Sequence, residues 1–216
     1  MIISHRHRFI FFHQPLTHAG HLHNYLETWN EEPIEQIHRR TPEHPFYRHM
    51  PPTAVKKAFE NLGWDFSSYR RITCTSNPYV RLSALHTRIN RHDPVWRMKS
   101  FIGLKTPNFD EWVKQLSHKT NSKDGTVSQH WRKMAAMPCD TWCANLMTDI
   151  IPTERLESEL STVLVQLKLP IPPNISDLLG EPEPLVPMKR ETIDFIATRY
   201  ARDIAVYGYD APNSLT

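Results

Sequence analysis

The chain has 216 residues, room for one domain, and its 39% hydrophobic and 10% aromatic content suffices for a bulky core, which excludes a wholly disordered chain. Twenty-six basic against 23 acidic residues leave a net charge of +3, well short of the dense positive field of a dedicated nucleic-acid binder. No run approaches the ~18 apolar residues that cross a bilayer, and no short apolar run with a small-residue cleavage site stands at the opening, so neither a membrane span nor a secretory signal is expected.

Eighteen prolines against six glycines point to stiff, ordered connections. Three cysteines with no C-x-x-C spacing signal neither a disulfide framework nor a zinc knuckle. Cys139 and Cys143 are spaced to share a helical face, and they read as reduced, partly buried thiols of a cytoplasmic protein.

Structure begins almost at once. Phe9–Phe12 is a short, wholly apolar run of the kind found in strands buried on both faces. A turn-rich stretch from His13 to Gly20 follows, and then Leu22, Tyr25, Leu26 and Trp29 fall at helical spacing. This opening reads strand, tight loop, helix, the first half of a parallel α/β unit with a helix N-terminus aimed over the loop. From Glu31 to Pro52 the chain is polar and proline-punctuated. Thr53 is placed to cap a helix through Val55, Phe59 and Leu62, which Gly63 stops.

Tyr69–Thr75 reads as a second strand, Ser76-Asn77-Pro78 ends it, and Leu82, Leu85 and Ile89 mark a further helix. The strand–loop–helix order thus occurs twice. Two such loops at the carboxyl ends of neighbouring parallel strands would face a common crevice. Beyond them, Asn108 and Glu111 form a capping box ahead of Phe109, Trp112, Val113 and Leu116. Glu154–Leu169 is helical by its apolar spacing, 170–187 is an extended connector with six prolines, and Glu191–Tyr207 is a closing helix. The expectation is a single α/β domain over 1–216.

Five stretches in order resemble the family 2 sulfotransferases. RFIFFHQPLTHAGHL is similar to a family opening of the form FIFIHIPKTAGTSL, and ITCTSNPYVRLSALH to FTFVRNPYDRLVSAY. SQHWRKM is similar to HWRPQ, NLMTDI to ENLEEDF, and ETIDFIATRYARDIAVYGYD to a closing EIIYERYAEDFELFGY. The resemblance covers nearly the whole chain. It implies a P-loop-like three-layer sandwich, a central, mainly parallel sheet flanked by helices. It also implies transfer of a sulfuryl group from 3′-phosphoadenosine 5′-phosphosulfate (PAPS) to a hydroxyl or amine, without a metal. The matching donor-site positions are Pro15, Thr17, His18, Ala19, Gly20 and His21 in the first loop, and Ser76, Arg81 and Ser83 in the second. His13, before the proline, and His130, in the HW element, are the candidate bases, because imidazole titrates near neutrality.

The chain departs from the family where charge matters. The family lysine after the proline is Leu16 here, or Thr17 if the loop is aligned on Ala19-Gly20, and the arginine before Asn-Pro is Ser76. Ser83 sits one residue early, and the glutamate of ENL is Ala144. A charge-assisted hydrogen bond contributes about 1.5–3 kcal/mol, so losing two weakens anion binding by about a hundredfold or more. His18, His21 and His23 stand near the first loop as substitutes.

Two function classes follow. One is a sulfotransferase with a divergent donor site and an acceptor that the sequence leaves open, carbohydrate among them. The other is a catalytically silent relative that serves as a nucleotide- or protein-binding module. Nucleic-acid binding through the basic and aromatic stretch Arg88–Lys99 is disfavoured, since that stretch has no recognition motif. A homo-oligomer is compatible with either reading.

Overall fold

The computed structural model describes residues 1–17, 19–116, 127–181 and 184–213, with 127–130 through their backbone alone. The chain divides into two compact units, Met1–Ser76 with Cys139–Glu181 and Asn77–Pro138 with Pro182–Thr216, where the sequence reading has one domain. The strands are β1 (Ile2–Ser4), β2 (Phe9–Phe12), β3 (Arg70–Thr75) and β4 (Asp149–Pro152). The helices are α1 (Gly20–Leu26), α2 (Pro52–Asn61), α3 (Pro78–His92), α4 (Pro94–Phe101) and α5 (Phe109–Leu116). They continue with α6 (Val127–Ala135), α7 (Cys139–Cys143), α8 (Leu156–Gln166), α9 (Arg190–Arg199) and α10 (Ala201–Tyr207).

The first unit holds an open four-stranded sheet in the order β1-β2-β3-β4. β1 runs antiparallel to β2, while β2, β3 and β4 are parallel. The register sets Phe11 opposite Ile72 and Cys74 opposite Ile151, so these residues and Phe9 share one face. That face packs against Leu22 and Leu26 of α1 and Leu156, Leu160, Val163 and Leu164 of α8. Phe12 points to the other face, where it meets Phe66 and Trp142 edge-on at 6.4 and 6.2 Å. Phe59 of α2 joins this aromatic layer through Phe46, Trp64, Phe66 and Tyr69. Cover on both faces explains why all of Phe9–Phe12 is apolar and buried.

The start of β3 is polar, and each charge has a use. Arg70 donates two hydrogen bonds to Asp149 across the β3–β4 pair, at 2.7 and 2.6 Å. Burial alone would raise the Asp149 carboxyl, but hydrogen bonds from Arg70 and Thr148 overcome it and hold the group below its ordinary range. Arg71, on the opposite face, donates to the carbonyls of Leu146, Phe66, Ser67 and Tyr69.

In the second unit, Asn77 caps α3 by accepting from the Tyr79 N–H at 3.0 Å, with Pro78 opening the helix. The capping box at α5 forms as the sequence indicates: Asn108 Oδ1 accepts from the Glu111 N–H, and Glu111 accepts from the Asn108 N–H, both at 3.0 Å. Asp110 ties α5 to the start of α9 by accepting from the Lys189 N–H and the Thr192 hydroxyl.

Five readings are corrected. The strand at Phe9–Phe12 is preceded by β1, whose three residues are too few for a periodic pattern. The cap of α2 is Pro51, with Pro52 as the first helical residue and Thr53 already inside, because a proline there loses no hydrogen bond. The helix through Trp29 stops at Leu26 and tightens into a 3-10 turn over Glu27–Trp29. The connector carries a 3-10 turn at Ile175–Leu178 packed into the core of the first unit, and Tyr25 donates to the Pro170 carbonyl at 2.5 Å. The closing helix breaks at Tyr200, whose hydroxyl donates to the Ala136 carbonyl at 2.6 Å.

Candidate functional site

β2 and β3 are parallel neighbours, so the loops that follow them leave the same edge of the sheet. Within the first unit the loops meet where the Ser76 hydroxyl donates to the Leu16 carbonyl at 3.4 Å. Thr17 closes the first loop by donating to the Gln14 carbonyl at 3.0 Å. Gln14, Pro15, Thr17 and Ala19 are buried, whereas Gly20 is half-buried and His21 exposed. Leu16 occupies the left-handed region at φ 63°, a conformation that costs a leucine about 1–2 kcal/mol. α1 has only seven residues, and Ala19 before it supplies no side-chain cap. Its first turn nonetheless follows the loop directly, as the order of the sequence has it.

Imidazoles gather at the start of this loop. His13, His23 and His49 are in ring contact, with centroids 5.5 Å apart for the tilted His13–His23 pair and 5.1 Å for the edge-on His13–His49 pair. His49 Nδ1 donates to the His13 carbonyl at 2.8 Å, which ties the 48–49 segment to the end of β2. Burial first, then the charges of His49, the Met1 amino group, Arg48 and His23, hold the His13 imidazole well below its ordinary value. His23 is pushed down to about 4, by burial and by the Met1 amino group and Arg48, against a weaker opposing hydrogen bond from Asn24. Both rings are neutral at pH 7. His49 and Arg48 lie in the irregular 31–52 stretch, where no periodicity marks them, and so the sequence analysis passes over them.

The first unit thus joins His13, Pro15, Thr17, Ala19, Gly20, His21 and Ser76 to one edge of the sheet. His13 Nδ1 and Thr75 Oγ1 are buried there without a hydrogen-bond partner. His21 Nδ1 donates to the Asp177 carbonyl at 3.0 Å. Arg81 and Ser83 belong to the second unit. Arg81 is fully buried, faces Asp203 at 3.8 Å and donates to the Met137 carbonyl at 3.1 Å, while Ser83 accepts from the Val186 N–H at 3.1 Å. His18 lies outside the described residues, as does the side chain of His130, whose backbone is in α6.

The cysteines form no disulfide and are buried, with Cys139 Sγ and Cys143 Sγ 3.6 Å apart on α7. Burial pushes the Cys74 thiol far up, so it offers no nucleophile near neutrality. Comparison of the chain with protein-family models, curated proteins and solved structures gives no match. Among the described residues no helix is long and apolar enough to cross a membrane.

Proposed function

We propose that the chain is a sulfotransferase of the family 2 type, a P-loop-like three-layer sandwich that moves a sulfuryl group from PAPS to a hydroxyl or amine acceptor, carbohydrate among the candidates. The observation that carries this reading is the meeting of the two loops at the carboxyl ends of parallel β2 and β3, through Ser76 and Leu16. The residues fit the nucleotide in hydrogen-bonding capacity: Thr75 Oγ1 has no partner of its own, and a phosphate oxygen accepts from a hydroxyl. Charge is sparser. Arg48, exposed beside His13 and His23, is the cation this end of the sheet offers in place of the family lysine.

Bound PAPS supplies the group to be transferred. His13, which burial keeps neutral at pH 7, receives the acceptor's proton at Nδ1, the ring nitrogen with no partner of its own. Low basicity limits the driving force for that step, so the rate rises with the acidity of the acceptor. Thr17 and Ser76 hold the loop backbone in place through their bonds to the Gln14 and Leu16 carbonyls.

A silent, nucleotide-binding relative is the second reading, favoured by one observation: Arg81 is committed to Asp203 and the Met137 carbonyl inside the second unit. Melting curves with adenosine 3′,5′-bisphosphate and transfer of labelled sulfuryl from PAPS to a panel of saccharides and amines separate the readings. A raised melting temperature with transfer supports the enzyme, and a raised temperature without transfer supports the silent module. Saturating nucleotide without any shift rejects both.

A further inference from the structure

We propose that α4 and the turn after it form a docking surface for an anionic lipid bilayer, an inference independent of the sulfotransferase reading. Among the described residues, five of the nine large hydrophobic side chains that stand exposed are Val95, Met98, Phe101, Ile102 and Leu104. Phe101 is 91% exposed and the other four are more than half exposed. α4 buries none of its residues. A contiguous apolar surface of this kind on a folded protein marks a contact with something else.

The patch is ordered by its own local chemistry. Asp93 caps α4 by accepting from the Trp96 N–H at 2.8 Å, Pro94 opens the helix, and Asp93 pairs with Arg132. Trp96 turns inward and meets the His86 ring edge-on at 5.8 Å. At the other end the Gly103 N–H bonds to the Ser100 carbonyl and the Leu104 N–H to the Lys99 carbonyl at 2.8 Å, with Gly103 at φ 73°. This is a Schellman stop, which needs the left-handed glycine. The contact that usually buries the residue after that glycine is missing, and Leu104 stays in solvent. Phe101, Ile102 and Leu104 are therefore presented on a fixed turn.

Charge selects the occupant. At 3.6 residues per turn, Val95, Met98, Phe101 and Ile102 cover about 120° of the helix surface, with Arg97 bordering one side and Lys99 the other. Arg88, Arg91 and Lys105 add to the same segment, and its one carboxylate, Asp93, is spent on the cap and on Arg132. An apolar stripe with a basic border and no exposed acid matches the interfacial layer of a bilayer rich in acidic lipid, where acyl chains receive the stripe and headgroups the cations.

The test is co-sedimentation of the full chain with vesicles of phosphatidylcholine alone and of phosphatidylcholine with phosphatidylserine. Binding is expected only to the acidic vesicles, with loss at high salt. Phe101→Asp should abolish it, and Lys99→Glu or Lys105→Glu should weaken it at least fivefold, the worth of a single basic side chain near such a surface. These side chains are at least partly exposed, so an unchanged melting temperature confirms that the variants fold. Absence of vesicle binding, or binding that Phe101→Asp leaves intact, overturns the proposal. So does a dimer in solution that Phe101→Asp dissociates, which would assign the patch to a second copy. Salt-sensitive capture by duplex DNA or polyglutamate with no vesicle binding also overturns it.

Discussion

His13 and His23 are imidazoles that carry a proton in the unfolded chain near pH 6 and not in the folded one. Their folded values lie below the ordinary 6.5, so their contribution to stability is complete above pH 6.5 and is lost as pH falls below it, toward about 4 for His23. Urea unfolding at pH 7, 6 and 5 should show stability falling by about 1 kcal/mol per pH unit for each imidazole, and His13→Gln should remove part of that slope. Arg81 and Asp203 make the opposite kind of pair, two charges buried together. Arg81→Met or Asp203→Leu alone should cost about 3–5 kcal/mol by thermal melting, and the two together much less, because each single change strands the other charge. The sequence marks Arg81 as a donor-site position but not its pairing with Asp203, which lies more than a hundred residues on. If the two loops hold a nucleotide as proposed, Leu16→Lys, which supplies the cation of the sulfotransferase pattern, should tighten adenosine 3′,5′-bisphosphate about tenfold or more by calorimetry.

Elements were legible wherever local chemistry alone decides them. Asn108 and Glu111 announce α5 by spacing, and the two orphan donors they satisfy are both within the motif. Asn108→Ala should therefore lower stability by about 1 kcal/mol in chemical denaturation while leaving the remaining helices intact. Leu22 and Leu26 mark α1 in the same way, but its end is set by the tightening at Glu27–Trp29, which no periodicity encodes. The break at Tyr200 is equally hidden: Ile193 and Ile196 continue in helical step with Ile204, and the interruption coincides with a tyrosine hydroxyl bonded to the Ala136 carbonyl. β1 escapes a reading based on pattern because three residues complete no alternation, and its partner Phe9–Phe12 supplies the reason it forms.

At the scale of the molecule, the doubled strand–loop–helix order was readable because apolar runs and proline punctuation are local, whereas the imidazole gathering was not. His49 reaches His13 across 36 positions of irregular chain, and that approach depends on how the segment lies against the end of β2. The same distinction bears on how the sheet comes together. β3 and β4 meet across more than seventy positions, so their pairing closes a long, entropically costly loop. A slip of one residue would send Asp149 to the opposite side of the sheet and leave the Arg70 guanidinium facing apolar neighbours with no counter-ion. That carboxylate–guanidinium clasp therefore works as a proofreader of strand alignment. Replacing both partners by Leu and Met should preserve much of the final stability yet admit misaligned, slowly refolding species, visible as extra phases in stopped-flow refolding.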